Sequence, residues 1–141
     1  HFVDLLADDM RTADKNEVFA SHGLSPKTAV LSSVSTSDRI VCYFANDRLL
    51  AIGGVAVTQD GSGSPWLLST NYLDDWKHKN LRTFLKCSKS WITEMNDIYP
   101  LLENYVDARN TDSITWLKHL GIAFQRLFQT MAIQRYHLLN L

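Results

Sequence analysis

The chain lacks a charge of one dominant sign, a long apolar run, and a cysteine framework. Fourteen Lys and Arg against 15 Asp and Glu leave a formal charge of −1. That balance excludes a partner held by a strongly basic face, so no nucleic acid is expected. No apolar stretch approaches the roughly 18 residues of a membrane span, and no membrane partner is expected. The acidic start through Asp4, Asp8 and Asp9 lacks a signal peptide's basic end, so synthesis in a cytosol is expected. The chain opens on His1, to which no functional weight is given. Cys42 and Cys87 have no metal-ligand spacing and read as reduced thiols in or near the core. His78 and His119 fall on charged helix faces and His137 in a terminal strand, so no metal site is expected. A Gly-x-Ser-x-Gly elbow, a P-loop and a Cys-x-x-Cys pair are missing, which leaves hydrolase, nucleotide-triphosphatase and dithiol readings without support.

What is present suits one domain. The 141 residues, 45% apolar and 11% aromatic, suffice for a real core. Asp4 to Ala20 carries Leu5, Leu6, Met10, Ala13 and Val18 among charges, predicting an amphipathic helix that ends at Ser21-His22-Gly23. Ser25 followed by Pro26 predicts the cap and first position of a second helix, reaching about Ser35. Ile40 to Phe44 and Leu49 to Thr58 are β-rich and joined by Ala-Asn-Asp-Arg, predicting an antiparallel hairpin. Gly53-Gly54 within the second run marks either a bulge, the reading favoured, or a close backbone approach. Trp66 to Thr70 reads as a short buried strand.

From about Asp74, Leu81, Phe84, Leu85, Ser88, Trp91, Ile92 and Met95 fall on one helical face, the strongest periodicity in the chain. Lys77, Lys79, Arg82, Lys86 and Lys89 make its start and outer face basic. That face is either solvated or a phosphate attractant. Pro100 separates it from the strand Leu101 to Arg109. A helix over Thr111 to Leu120 follows, capped by Gly121, and Ile122 to Phe128 with Met131 to Leu139 are predicted as a closing antiparallel pair. The fold class is therefore α/β, an α+β mixed sheet with helices on its faces.

The segment Tyr105-Val-Asp-Ala-Arg-Asn110-Thr-Asp-Ser113-Ile-Thr-Trp116-Leu117-Lys-His-Leu-Gly121-Ile122 resembles the second signature of the GNAT N-acyltransferase superfamily. Asn110, Ser113, Trp116 and Gly121 stand at matching places; Leu117 and Ile122 depart. The resemblance implies a mostly antiparallel central sheet with a splayed parallel pair, between whose strands acetyl-CoA or CoA would pass. It implies cofactor contacts from Leu67, Leu68, Ser69, Asn110, Ser113 and Leu117, and from Lys77, Lys79, Asn80, Leu81 and Arg82 at the start of the long helix. Leu117 stands where many members carry a tyrosine that protonates the departing thiolate, and leucine has no proton to give. The family's glycine-rich pyrophosphate loop has no counterpart, because no glycine occurs between Gly63 and Gly121. The cradle is missing or rebuilt from side-chain charge. Asp107 is the candidate base for an acceptor amine, unless it pairs with Arg109.

Roughly residues 48 to 126 also resemble a small family of T-seven-like podophage proteins, described as acetyltransferase-like and associated with assembly of the internal virion core. Two functions follow from the resemblance. One is a divergent N-acetyltransferase acting on a protein substrate. The other is a non-catalytic protein that works on virion proteins through its surface, with Trp66, Tyr72, Trp76 and Trp91 as core or interface anchors. Either would operate in the host cytoplasm, the second as a protein incorporated into the virion or needed for it. The oligomeric state leaves no trace in the sequence.

Overall fold

The computed structural model describes residues 1–121, 123–126 and 133–139. Helices α1 (Phe2–Asp8), α2 (Thr12–His22) and α3 (Pro26–Thr36) precede the strands β1 (Ser37–Ala45), β2 (Arg48–Val57) and β3 (Gly63–Ser69). Helices α4 (Tyr72–Lys79) and α5 (Leu81–Ile98), strand β4 (Leu101–Asp107), helix α6 (Thr111–His119) and strands β5 (Ala123–Arg126) and β6 (Ile133–Leu139) follow. The strands form one sheet in the order β1-β2-β3-β4-β6-β5. Among the described strands only β3 and β4 pair in parallel. The expected closing pair is present as β5 and β6. Ile122, the segment 127–132 and residues 140–141 lie outside the described residues.

Alternation along the strands divides the core between the two faces. Leu6, Met10, Val18 and Val30 from α1 to α3 pack on Ile52 and Leu68. On the other face Met95 and Tyr99 pack on Val55 and Leu102, and Ile92 on Val106, Leu117 and Leu120.

The predicted caps are formed. Ser25 Oγ accepts from the Thr28 N–H at 3.4 Å with Pro26 in the first helical position. Gly23 closes α2 with φ +65° and Gly121 follows α6 with φ +82°, left-handed values that favour glycine. Asn46 and Asp47 also have positive φ, 49° and 63°, so the β1–β2 turn is tighter than the expected loop and uses residues that tolerate this conformation.

Three sequence expectations need revision. The single helix over Asp4 to Ala20 is two helices. Met10 leaves helical geometry to bridge Thr70, the Arg11 N–H donates to the Ser69 carbonyl at 2.9 Å, and the Asp9 carbonyl accepts from Asn71 at 2.8 Å. The long helix from Asp74 is likewise interrupted, at Asn80, whose Nδ2 donates back to the Trp76 carbonyl at 2.9 Å. This break turns Leu81 out of the apolar face, and it is 54% exposed. Gly53-Gly54 is not a bulge: the β1–β2 register runs regularly through both, Val41 opposite Gly53 and Ile40 opposite Gly54. A Cβ on Gly54 would lie 2.6 Å from the Arg39 carbonyl and 2.9 Å from the Trp66 ring. Trp66 lies against that bare backbone and donates its indole N–H to Ser37 Oγ at 2.7 Å.

Candidate functional site

The parallel pair β3–β4 is joined where Gly63 stands opposite Leu102 and where Asn104 Nδ2 donates to the Pro65 carbonyl at 2.8 Å. Farther along, the β3 edge bonds to the N-terminal segment instead of to β4. The Ser69 N–H donates to Asp14 Oδ2 at 2.7 Å and the Ser69 carbonyl accepts from Arg11. Between the strands lies a cleft of about 260 Å³, walled by Leu67, Leu68 and Val106 from the sheet, Ser113 and Leu117 from α6, and Asp14 and Glu17 from α2.

Two acids occupy this cleft in opposition to ordinary burial rules. Met10, Asp14 and Val18 recur every fourth residue on the inward stripe of the N-terminal segment, so Asp14 is carried into the interior with its apolar neighbours. Burial pushes its carboxyl up to about 6, with Arg11 and the Ser69 N–H acting the other way. Glu17 is pushed up to about 7, again chiefly by burial, although Asn110 Nδ2 donates to it at 2.7 Å. Asn110 also caps α6 through Oδ1, which accepts from the Ser113 N–H at 3.3 Å. One amide therefore fixes the start of α6 and spans the strand end to α2. Arg11, buried like Asp14, reaches Asp14 at 3.9 Å and Asp74 of α4 at 3.2 Å.

The residues expected from sequence separate into three groups. Leu67, Leu68, Asn110, Ser113 and Leu117 stand around the cleft, Ser69 at its end beside Lys77. Lys77 is tied to Asp74 at 3.3 Å and lies over the Phe84 ring at 5.8 Å. Lys79 and Asn80 face the β1–β2 turn instead, next to Asn46 and Arg48. Leu81 and Arg82 are exposed at the start of α5. Asp107 is buried at the end of β4, where its carboxylate accepts from Arg109 Nε at 3.0 Å and from the Arg109 N–H at 2.9 Å. Those bonds hold its carboxyl below the usual range, the reverse of what a base working near neutral pH needs. Glu17 has that environment. Sequence reasoning missed Arg11, Asp14 and Glu17; the available signal was an acid at the fourth-residue spacing between Met10 and Val18. Among the aromatic anchors, Tyr72 is exposed under the Arg48 guanidinium, 4.6 Å away, whereas Trp66, Trp76 and Trp91 are partly buried.

The fit of acyl-CoA can be tested on this geometry. A pantetheine arm between two parallel strands needs backbone groups on the open strand edge, and at Ser69 both groups are taken by Arg11 and Asp14. A pyrophosphate needs convergent backbone N–H groups at a helix start. Here the chain between β3 and α5 is itself helical, and Lys77, which stands beside Ser69 at the end of the cleft, is paired with Asp74. At these two places the arrangement does not fit the group. Among the described residues no cluster of three or more His, Cys, Asp or Glu could hold a metal ion. No described helix is long and apolar enough to cross a membrane.

A family model described as bacteriophage T7, probable scaffold protein Gp13, matches residues 40–129. Comparison with curated proteins gives no match. Among solved structures, smu.2055 from Streptococcus mutans UA159 superposes with a TM-score of 0.69 at 8% identity, over 99% of this chain and 94% of its own. A ribosomal-protein-alanine N-acetyltransferase from Brucella melitensis gives 0.64 at 9% identity, over 98% and 91%. A Bacillus subtilis acetyltransferase in complex with CoA gives 0.62 at 11% identity, over 82% and 84%. At these identities the likeness shows the fold, which is that of the GNAT acetyltransferases.

Proposed function

Because this chain belongs to the bacteriophage T7 probable scaffold protein Gp13 family, we propose that it is a GNAT-fold protein whose acyl-CoA groove is blocked at Ser69 and lacks a pyrophosphate cradle, and which acts through protein contacts in assembly of a phage virion. The observation that carries this reading is the β3 edge at Ser69, where Asp14 takes the N–H and Arg11 occupies the carbonyl. The helix α4 where the family's pyrophosphate loop belongs and Leu117 in the tyrosine position support it. On this reading the partners are virion proteins, met in the host cytoplasm, and the protein needs no acetyl-CoA or CoA.

A second reading, N-acetyl transfer to an amine, is favoured by Glu17 alone. Its carboxyl, pushed up to about 7 within the cleft, has the proton affinity to take a proton from an acceptor amine at neutral pH. Isothermal titration with acetyl-CoA and CoA separates the two. No heat at millimolar ligand is expected; pantetheine-dependent binding at micromolar concentration would overturn the blocked-groove reading. Complementation of a phage lacking the coding sequence supplies the functional arm. Glu17→Gln is expected to restore infectious particles as fully as the unaltered chain, and failure of a folded Glu17→Gln protein to do so would support transfer.

A further inference from the structure

Helix α5 carries its charges in the reverse of the order that its own dipole favours. Acids stabilise the positive N-terminal end of a helix and bases the negative C-terminal end. In α5 the cations Arg82, Lys86 and Lys89 fall in the first half and the acids Glu94 and Asp97 in the second, with no acid in the first turn and no base in the last. Pairing within the helix does not account for the cations, because no Asp or Glu stands three or four residues from any of them. Arg82 and Lys86, and Lys86 and Lys89, instead neighbour each other at spacings where like charges repel.

Those spacings set the three cations on one stripe, about 10 Å along the helix. The stripe faces outward: all three are exposed, whereas Ile92 and Met95 pack toward the sheet. Among the described residues none of the three has an ion-pair partner, while Arg11, Lys27, Arg39, Lys77 and Arg109 each meet a carboxylate. In a chain of formal charge −1, unanswered positive charge is thus gathered on one helix face, against both rules of helix stability.

We infer that the outer face of α5 docks an acidic helical segment of another protein, whose carboxylates, at the same spacing of three and four residues, meet Arg82, Lys86 and Lys89. The inference rests on the assembly reading and names the surface and the partner chemistry that serve it. Charge complementarity selects the occupant. A short acidic segment answers three cations one for one, whereas a nucleic acid continuing along the stripe meets exposed Asp97. Exposed pairs are individually weak, so the contact is reversible and sensitive to salt.

The probe is a fluorescein-labelled, alanine-based helical peptide with glutamates along one face, set against the same peptide with glutamines and against a DNA duplex. The glutamate peptide is expected to bind saturably, to move the backbone amide resonances of α5 in ¹⁵N-labelled protein, and to weaken as salt rises. The combined substitution Arg82→Glu, Lys86→Glu and Lys89→Glu is expected to weaken binding about ten-fold or more, as three exposed pairs turn repulsive. It is also expected to fail in complementing a phage that lacks the coding sequence. Because the new charges follow the helix dipole, its midpoint of thermal unfolding should rise, by about 1–4 °C. A fall in that midpoint would give the cations a structural role and overturn the inference. So would a glutamine peptide or duplex that binds as tightly as the glutamate peptide, or displacement of the peptide by millimolar coenzyme A. Full complementation by the triple variant, with the unaltered chain still required, refutes the docking surface and leaves the assembly reading standing; a phage that needs neither chain removes both.

Discussion

At the scale of single residues, Gly54 and Glu17 are governed by what surrounds them. Gly54 sits in regular antiparallel geometry, so its requirement is for space. A Cβ there meets the Arg39 carbonyl at 2.6 Å and the Trp66 ring at 2.9 Å. Gly54→Ala is expected to lower stability by about 1–3 kcal/mol through displacement of backbone or ring, read from the midpoint of urea unfolding. Glu17 and Asp14 make stability depend on pH in a defined direction. Their folded values, about 7 and about 6, lie above the ordinary 4.5 and 3.8, so the folded state binds more protons than the unfolded state between those limits. The stabilising contribution of protonation is therefore lost as pH rises from about 4 to 7. The midpoint of thermal unfolding is expected to fall across pH 5 to 7, and Glu17→Gln, neutral throughout, to flatten that slope by an amount on the order of a few °C. An unchanged slope in Glu17→Gln would mean that the carboxyl is ionised throughout that range.

At the scale of elements, α6 depends on the amide of Asn110. Its Oδ1 caps the helix and its Nδ2 reaches Glu17, so Asn110→Ala is expected to cost about 1–2 kcal/mol in denaturant unfolding, mostly as a lost cap. Asn110→Asp keeps an acceptor for the Ser113 N–H but sets a carboxylate against Glu17. Its destabilisation is expected to grow as pH rises past 7, whereas that of Asn110→Ala should not. The extents of α3 and α6 were legible because capping chemistry is local: Ser25-Pro26 and Asn110 to Gly121 act within one turn of the helices they bound. The breaks at Asp9–Arg11 and at Asn80 were not. The bridge that draws Met10 out of its helix is to Thr70, just past the end of β3 and distant in sequence, and no helical periodicity records it.

At the scale of the whole molecule, Arg11 joins parts that the chain keeps far apart. Its backbone N–H meets β3, and its guanidinium meets Asp14 of α2 and Asp74 of α4. Arg11→Ala removes the cation beside a buried acid and is expected to destabilise by about 3 kcal/mol, while the backbone bond to Ser69 persists. The loss should be smaller near pH 5 than near pH 8, because Asp14 takes up a proton at the lower value; equal losses at both would place the effect in packing alone. The sequence alone determined the class of fold, the antiparallel hairpin, the helix caps and the Asn110 to Gly121 segment, because periodicity, turn chemistry and capping are written within a few residues of where they act. Tertiary structure alone decided that Asp14 and Glu17 enter the cleft and that the β3 edge at Ser69 is filled by the N-terminal segment. Burial and long-range pairing set those outcomes, and both depend on which distant segments the sheet brings together.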